Sequence, residues 1–475
     1  MWRTPLRWSS TSVKKGIENT ILELERLLGA DKIKTTASMK DQHSHDESHH
    51  RVRAPDVVVL PGNVEEVSGV LRFCNQNKIS VVPFGAGTGL EGGTVPVKGG
   101  VSLDVMSMNE IVEINAEDFD CTVQCGVTRN TLNKHLHETG LWFPVDPGAD
   151  ASLGGMISTC ASGTNAMKYG TMLQNVLNLE VVLPNGEVMY THGKGKRAKK
   201  SAAGYNLTSL FVGSEGTLGV ITEATIRLHA RPNCISTAIC SFPSVYEAVA
   251  SVVNVLQCSI PVARIEFLDK QLVMAINRFS HTSLTELPTL MLEFQGMTNE
   301  EVKVQADLIG EICSDNKGSD FMWSYLPEEM EQLWKARHNA YYAIVAQRKG
   351  CNGFSTDVCV PISKLAEVIT AVRKDIDESG LLGCILGHVG DGNFHCMFPV
   401  NESDEMEVKA IWNLSDKIVK RALAANGTCT GEHGIGLGKR RYLVEEIGEN
   451  GIKAMRTIKE AFDPNFIMNP GKIFL

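Results

Sequence analysis

The chain has 475 residues, a formal charge of −9 and ordinary shares of hydrophobic (43%) and charged (21%) residues, so its length suits about two to four globular domains. The acidic balance excludes nucleic acid as the main partner, because phosphate binding needs a basic face, and no apolar run approaches the length of a membrane span. Thirteen cysteines, with no CxxC pair and no regular spacing, read as reduced thiols in an intracellular setting.

Residues 1–15 hold Arg3, Arg7, Lys14 and Lys15 among Ser and Thr, with no acid before Glu18. This is the composition of a mitochondrial targeting segment, set apart from the fold. An N-terminal helical segment, 16–52, follows, in which residues 17–29 have helical apolar spacing and end on Gly29. His43, His45, His49 and His50 lie among acids in Asp41–His50. With no regular structure to fix ligands, they read as a solvated loop.

From residue 53 to 232 the pattern opens with a strand (Val57–Leu60), a helix (Val64–Asn77) and a strand (Ile79–Pro83). Then comes Phe84-Gly-Ala-Gly-Thr-Gly-Leu-Glu-Gly-Gly93, whose backbone N–H groups can approach a phosphate without Cβ interference. Gly87, Gly89 and Gly92 match G-x-G-x-x-G formally. Extended chain follows (Thr94–Val97, Val101–Met106) where a nicotinamide-binding Rossmann unit needs a helix. Further Gly-rich blocks are Asp146–Met156 with Ala161–Asn165 and Tyr169-Gly170, and Gly213-Ser-Glu-Gly-Thr-Leu-Gly-Val-Ile-Thr222. Each alone reads as tight turns; together they point to a large polyanionic ligand, a dinucleotide, lying across several loops.

Between 233 and 426 strands alternate with helices. Strands are expected at Ile235–Phe242, Ala263–Phe267, Thr289–Glu293, Ser355–Val360, Cys384–Val389 and Phe394–Pro399. Helices are expected at Ser244–Leu256, Asn299–Ser314, Pro327–Gln347, Lys364–Glu378 and Met406–Ala425. This is an α+β domain, antiparallel at least at the hairpin in Gly387-His-Val-Gly-Asp-Gly-Asn-Phe-His395. A two-residue turn at Asp391-Gly392 would pair His388 with His395, their Cβ atoms about 5 Å apart on one face. Two readings stand here: a hairpin that carries two histidines, or a metal pair completed by a glutamate in Gly431-Glu-His-Gly434. The tail, 427–475, ends in a helix, Ala454–Phe462, stopped by Asp463-Pro464.

Pro83-Phe-Gly-Ala-Gly-Thr-Gly89, Val145-Asp-Pro-Gly-Ala149 and Gly213–Gly219 resemble the FAD-binding segments of the vanillyl-alcohol-oxidase-type flavoproteins. The His388 hairpin, Gly431-Glu-His-Gly-Ile-Gly436 and Asn469-Pro-Gly-Lys472 narrow the resemblance to the D-2-hydroxyacid dehydrogenase branch, nearest its animal mitochondrial members. The resemblance runs from about residue 35 to the C-terminus. It implies an FAD-binding domain of two α+β subdomains, an α+β substrate domain with an antiparallel sheet, and a C-terminal segment that returns to the flavin. Flavin contacts are implied for Pro83, Gly85, Ala86, Gly87, Thr88 and Gly89 in the first block. In the second they fall on Pro147, Gly148, Ala149, Ser152, Gly154, Gly155, Ser162, Gly163, Tyr169 and Gly170. The last set is Glu215, Gly219, Val220 and Ile221, with Asn469 in the tail. No histidine in these blocks matches a covalent attachment point, so the FAD is expected to be dissociable.

The implied reaction is oxidation of a D-2-hydroxy acid to the 2-keto acid, with hydride passing to flavin N5 and electrons going on to cytochrome c or another carrier. His388, His395 and Glu432 are the expected ligands of a divalent metal (Zn, Mn or Fe), three protein ligands that leave positions open for substrate. His433 is the expected general base, Arg337 the substrate-carboxylate clamp, and Asn393 a group that orients substrate. Relatives acting on D-2-hydroxyglutarate carry a lysine just before the residue matching Asp357. This chain has Ser355 and Thr356 there, which favours a monocarboxylate such as D-lactate, with Tyr341 and Trp323 expected to line an apolar pocket. The alternatives are a D-2-hydroxyglutarate dehydrogenase, an ether-lipid synthase on the same fold, and a metal-dependent hydrolase without flavin.

Overall fold

The computed structural model describes residues 10–50 and 52–475, and the first nine residues of the expected targeting segment lie outside it. The expected N-terminal helix runs as Ser10–Leu28, entering the segment set apart as a leader. Three main sheets follow. A four-stranded sheet has the order Ile33–Lys34, Val57–Val59, Val101–Asp104, Val81–Phe84, its last three strands parallel. The strands flanking helix Val64–Asn77 are therefore not neighbours, because Val101–Asp104 lies between them. That helix begins where Asn63 caps the Glu66 N–H at 2.9 Å, and it buries Val67, Val70, Leu71 and Cys74 at helical spacing.

An antiparallel five-stranded sheet has the order Ile111–Asn115, Asp120–Gln124, Val220–Arg227, Val176–Val182, Val188–Tyr190. It shares one core with the four-stranded sheet, around Leu71, Val101, Phe143, Val181 and Ile226. No helix follows the first Gly-rich block until Arg129–His135, which confirms that it is not a Rossmann unit.

The third sheet is antiparallel and has eight strands. The order is Ser319–Ser324, Cys234–Ser241, Thr289–Gly296, Val262–Leu268, Cys384–Gly387, Asn393–Val400, Asn352–Ser355, with Val358–Cys359 also pairing to Asn393–Val400. Helices cover both faces. Leu290, Leu292 and Phe294 join one core and Met291 the other, as the two-residue period of a strand requires. The near-continuous apolar run in Thr289-Leu-Met-Leu-Glu-Phe follows from this double cover.

Several expectations change. Helix Pro327–Gln347 is two helices, Pro327–His338 and Ala340–Val345, meeting at Asn339. Strand Ser355–Val360 is broken at Thr356-Asp357, where the Cys396 N–H donates to Thr356 Oγ1 at 3.0 Å in place of its carbonyl. The hairpin pairs Leu386 with His395, not His388 with His395. The connection is His388–Gly392, closed by the Asp391 N–H donating to the His388 carbonyl at 3.1 Å, with Gly392 at φ 90°. A shift of two residues preserves the face, so the two imidazoles still meet, 5.5 Å between ring centroids and nearly perpendicular. The histidine segment is not solvated: His43, Ser44 and Asp46 are buried, His43 Nε2 is 3.1 Å from Asp104 Oδ2, and His49 stacks on Phe354. All thirteen cysteines are free thiols.

The tail comes back to the first Gly-rich strand. The Val81 N–H donates to the Ile467 carbonyl and the Asn469 N–H to the Val81 carbonyl, both at 2.8 Å. Among the described residues no helix is long and apolar enough to cross a membrane.

Candidate active site

The hairpin gathers side chains from four distant stretches. Glu266, in the interior of Val262–Leu268, is fully buried with both oxygens engaged. Oε1 lies 2.6 Å from His388 Nδ1, while Oε2 accepts from Arg337 Nε at 2.9 Å and Nη2 at 2.6 Å. Burial works to raise the Glu266 carboxyl, yet the His388 and Arg337 charges hold it below the usual carboxylate range. For His388, burial opposes the charged ring, and Glu266 and Glu432 raise it well above the usual histidine value.

With Nδ1 fixed by Glu266, His388 presents Nε2 to Glu432 Oε1 at 3.3 Å, and His395 Nε2 approaches the same oxygen at 3.2 Å. The three ligand atoms lie within 4.8 Å of one another, and Glu432 Oε2 is buried with no hydrogen-bond partner. Donors around a zinc-sized ion at about 2.1 Å stand about 3 Å apart, so this set fits a divalent ion, and two imidazoles with one carboxylate suit Zn²⁺, Mn²⁺ or Fe²⁺. Burial pushes Glu432 upward, but the His388 and His395 rings hold it well below the ordinary range.

Asp357 builds the opposite wall. Its Oδ2 accepts from three successive backbone N–H groups, Gly431 (2.8 Å), Glu432 (2.9 Å) and His433 (3.0 Å), and from Thr430 Oγ1 (2.8 Å). Lys439 Nζ stands 3.4 Å away. The carboxylate is fully buried, which alone would raise it, and Lys439, His433 and His395 bring it well below the ordinary range. One oxygen thus fixes the backbone that carries Glu432 and His433. The His433 ring stacks on His395, centroids 4.9 Å apart and 10° between planes. Burial lowers its pKa, and its Nδ1 is buried with no hydrogen-bond partner.

Asn393 and Arg337 are more committed than the sequence indicated. Asn393 Nδ2 donates to Asp357 Oδ1 (2.7 Å) and the Val358 carbonyl (2.9 Å), leaving only Oδ1 unpartnered. Arg337 spends Nε and Nη2 on Glu266, so Nη1 is the edge left for a carboxylate. Trp323 faces Tyr325 and Tyr341 faces Tyr342, so the expected pair does not close one pocket wall by ring contact.

The second Gly-rich block docks on this half of the molecule. Arg264 Nε donates to Asn165 Oδ1 (2.8 Å), Tyr169 Oη donates to Gln295 Oε1 (2.6 Å), and a Cβ at Gly390 would lie 2.2 Å from Met167 Sδ. Tyr169, an expected flavin contact, therefore has its hydroxyl engaged across the two halves. Glu215 holds the loop that follows Glu432 and His433: its carboxylate accepts from Ile435 N–H (2.7 Å) and Gly436 N–H (2.8 Å), and burial pushes it up to about 7. Gly154, Gly163 and Gly219 are packing glycines, since a Cβ there would strike Cys125, the Asp146 backbone and Val181. Around the remaining blocks the structure fits a flavin. A Cβ at Gly85 would come within 2.4 Å of Ser152 Oγ, so the backbone of the first block lies directly against the Ser152 side chain of the second. The hydroxyls of Ser152 and Thr94 are buried with no partner. Asn469, at φ 39°, donates from Nδ2 to the carbonyls of Gly93 (3.0 Å) and Glu215 (2.7 Å), joining tail, first block and third block. Pro83, Ala86, Gly87, Thr88 and Gly89 sit in the first block, Pro147, Gly148, Ala149, Gly155, Ser162 and Gly170 in the second, and Val220 and Ile221 begin a strand of the five-stranded sheet.

Sequence reasoning missed Glu266 as a site residue and used Asp357 only as a landmark. The available signal in each case was a lone acid within an apolar strand run, Ala-Arg-Ile-Glu266-Phe-Leu and Ser-Thr-Asp357-Val-Cys-Val.

Residues 55–191 match the FAD binding domain family, and residues 231–473 match the FAD linked oxidases, C-terminal domain. The chain is 51% identical to "Probable D-lactate dehydrogenase, mitochondrial" of Danio rerio over 96% of its own length and 92% of that protein. It is 46% identical to "D-lactate dehydrogenase [cytochrome], mitochondrial" of Arabidopsis thaliana over 90% of the chain and 74% of that protein. Among solved structures, 4-ethylphenol oxidase from Gulosibacter chungangensis superposes with a TM-score of 0.81 at 18% identity, covering 99% of each chain. An alkyldihydroxyacetonephosphate synthase gives 0.74 at 21% identity, covering 99% of this chain and 87% of that one. These two likenesses speak for the vanillyl-alcohol-oxidase-type fold, and the flavin-free hydrolase reading falls with the FAD-binding match. The chain belongs to the FAD-linked oxidases, in the family of FAD-dependent D-lactate dehydrogenases.

Proposed function

We propose that this protein is a mitochondrial enzyme that oxidises D-lactate to the 2-keto acid with dissociable FAD and a divalent metal, passing electrons to cytochrome c or another carrier. The observation that carries the metal-dependent part is the convergence of His388 Nε2, His395 Nε2 and Glu432 Oε1, with Glu432 Oε2 unpartnered. When bound, the flavin supplies the hydride acceptor and the ion supplies a Lewis acid for the substrate hydroxyl. Arg337 Nη1 binds the substrate carboxylate, and Glu266 holds the guanidinium in place for it. Asn393, its amide nitrogen anchored on Asp357 and its Oδ1 unpartnered, helps to orient the substrate. His433 takes the hydroxyl proton at Nδ1, in a ring whose burial favours the neutral, proton-accepting form. The Thr356 hydroxyl is spent on the strand, and the position before Asp357 offers no cation for a second substrate carboxylate.

The test is anaerobic flavin bleaching by D-lactate, L-lactate and D-2-hydroxyglutarate, with and without chelator. Fast bleaching by D-lactate that collapses on metal removal and returns with Mn²⁺ or Zn²⁺ is expected. Faster bleaching by D-2-hydroxyglutarate would overturn the substrate, and full activity after verified metal removal would overturn the Lewis-acid role.

A further inference from the structure

The segment Asp41–His50 has no part in the chemistry above, yet it is packed against the fold. His50 reaches a cavity of about 780 Å³, within the size range of small-molecule sites. None of the proposed metal ligands and none of the expected flavin contacts lines it. Its cations are Arg53, Arg440 and Arg441, and no Asp or Glu side chain is part of the wall. Arg440 donates only to the carbonyls of Leu437 (3.1 Å) and Gly471 (2.8 Å), and Arg53 to the carbonyl of Val97. Neither guanidinium has a carboxylate partner among the described residues. Arg441 pairs with Asp416 at 2.8 Å and lies over the Trp412 ring at 4.6 Å. Leu475, whose carbonyl oxygen accepts from Arg456, also lines the cavity.

The second observation is His50 itself. Its side chain is 10% exposed, Glu91 Oε2 stands 3.8 Å from Nε2, and that nitrogen is buried with no hydrogen-bond partner. A buried ring nitrogen left without a partner costs free energy unless a ligand or water satisfies it. Guanidiniums without a carboxylate partner, grouped in one recess, concentrate positive potential, and their planar fork matches phosphate and carboxylate oxygens. Val52, Val97 and Trp412 make the remaining wall apolar.

We propose that this cavity is a second ligand site, which takes a small polyanion carrying phosphate or carboxylate groups on a body with one apolar face. Gly438–Arg441 continue without a break from the loop that holds Glu432 and His433. Lys439, within that run, reaches both Glu91 (3.1 Å) and Asp357 (3.4 Å). Occupancy is therefore transmitted to the loop and alters turnover; this coupling rests on the proposed roles of Glu432 and His433, whereas the binding does not.

The experiment is calorimetric titration of the FAD-loaded enzyme at physiological salt with inorganic phosphate, phenyl phosphate and citrate. Saturable binding of at least one probe is expected, unaffected by excess D-lactate and weakened about tenfold or more in Arg53→Ala and Arg440→Ala, each of which removes a charged hydrogen bond. Because Arg440 also ties Leu437 to Gly471, Val97→Trp, which sets an indole into the wall beside Arg53, serves as the second probe and should weaken binding. A preference for phenyl phosphate or for citrate identifies the head group. No saturable heat from any probe would overturn the site. So would binding that survives both Arg53→Ala and Val97→Trp, or binding displaced by D-lactate, which would place the anion at Arg337. D-lactate turnover unchanged by a saturating probe would overturn the coupling, and a native enzyme inactive on D-lactate would overturn the proposed function, either one leaving the binding result standing.

Discussion

Glu266 is the most demanding test of the site, because one buried carboxylate serves both the proposed metal ligand His388 and the proposed substrate clamp Arg337. In Glu266→Gln the shape is kept, but only one amide oxygen remains for the three contacts at 2.6–2.9 Å. Arg337 can only donate, so the amide oxygen turns to it and the NH₂ group faces His388 Nδ1. That nitrogen must then accept, which moves the ring proton to Nε2, the atom that points at Glu432. The metal-binding tautomer is disfavoured, and affinity should fall by about 10- to 100-fold, or roughly 1.4–2.7 kcal/mol. Glu266→Ala should be worse, since it leaves the Arg337 charge buried without a partner, at a cost of about 3–5 kcal/mol in stability. The assay is chelator competition on refolding-competent, flavin-loaded protein, with thermal melts to separate metal loss from unfolding. Folded Glu266→Gln that binds Zn²⁺ or Mn²⁺ as tightly as the native protein would refute the tautomer argument.

Asp357→Asn should lower kcat by about 100-fold with flavin content unchanged, because the loop loses its shared acceptor or sets an NH₂ against Asn393; kinetics with a flavin absorbance check decide it, and native turnover would remove Asp357 from the account. His433→Ala should cost about 10²- to 10⁴-fold in kcat while metal content stays native, as the loss of a general base requires; unchanged turnover in single-turnover kinetics would end that assignment. His388→Ala should lose metal and activity together, measured by metal analysis of the purified protein. Glu215 titrates near 7 in the fold and near 4.5 unfolded, so the folded state binds the extra proton. Its contribution to stability is present at low pH and is lost as pH rises through that window, by on the order of 3 kcal/mol at most. Melting temperatures at pH 5 and 7.5 should therefore diverge more for the native protein than for Glu215→Gln, and parallel shifts would count against a protonated Glu215.

The residue types of the site were legible before the geometry. The two histidines, Glu432 and His433 stood out as residues in Gly-bounded runs, and the resemblance decided between a plain hairpin and a metal pair. The hairpin register was not legible, for a physical reason. Asp391-Gly392 signals a two-residue turn, whereas here Gly392 is required because a Cβ would lie 2.2 Å from the Val360 carbonyl of the neighbouring chain segment. The glycine answers both its own positive φ and this tertiary contact, within a connection longer than the two-residue turn it signals. Glu266 and Asp357 were hidden for a related reason: an acid within a strand looks like a residue of the solvent-facing phase, and only pairing across the sheet shows that it points inward. Helix Val64–Asn77 was readable to the residue because its cap and its apolar spacing are both local. The burial of His43 was not, since Asp104 lies 61 residues away.

The single Asp357 oxygen that takes three consecutive N–H groups has a consequence for how mutational data on this protein will combine. Glu432 and His433 are set by one acceptor, so neither can be repositioned without the other. Losses from Asp357, Glu432 and His433 substitutions should then fall well short of adding, and a double-mutant cycle would report coupling where a list of independent contributions would be expected. Glu432 and His433 behave as one part.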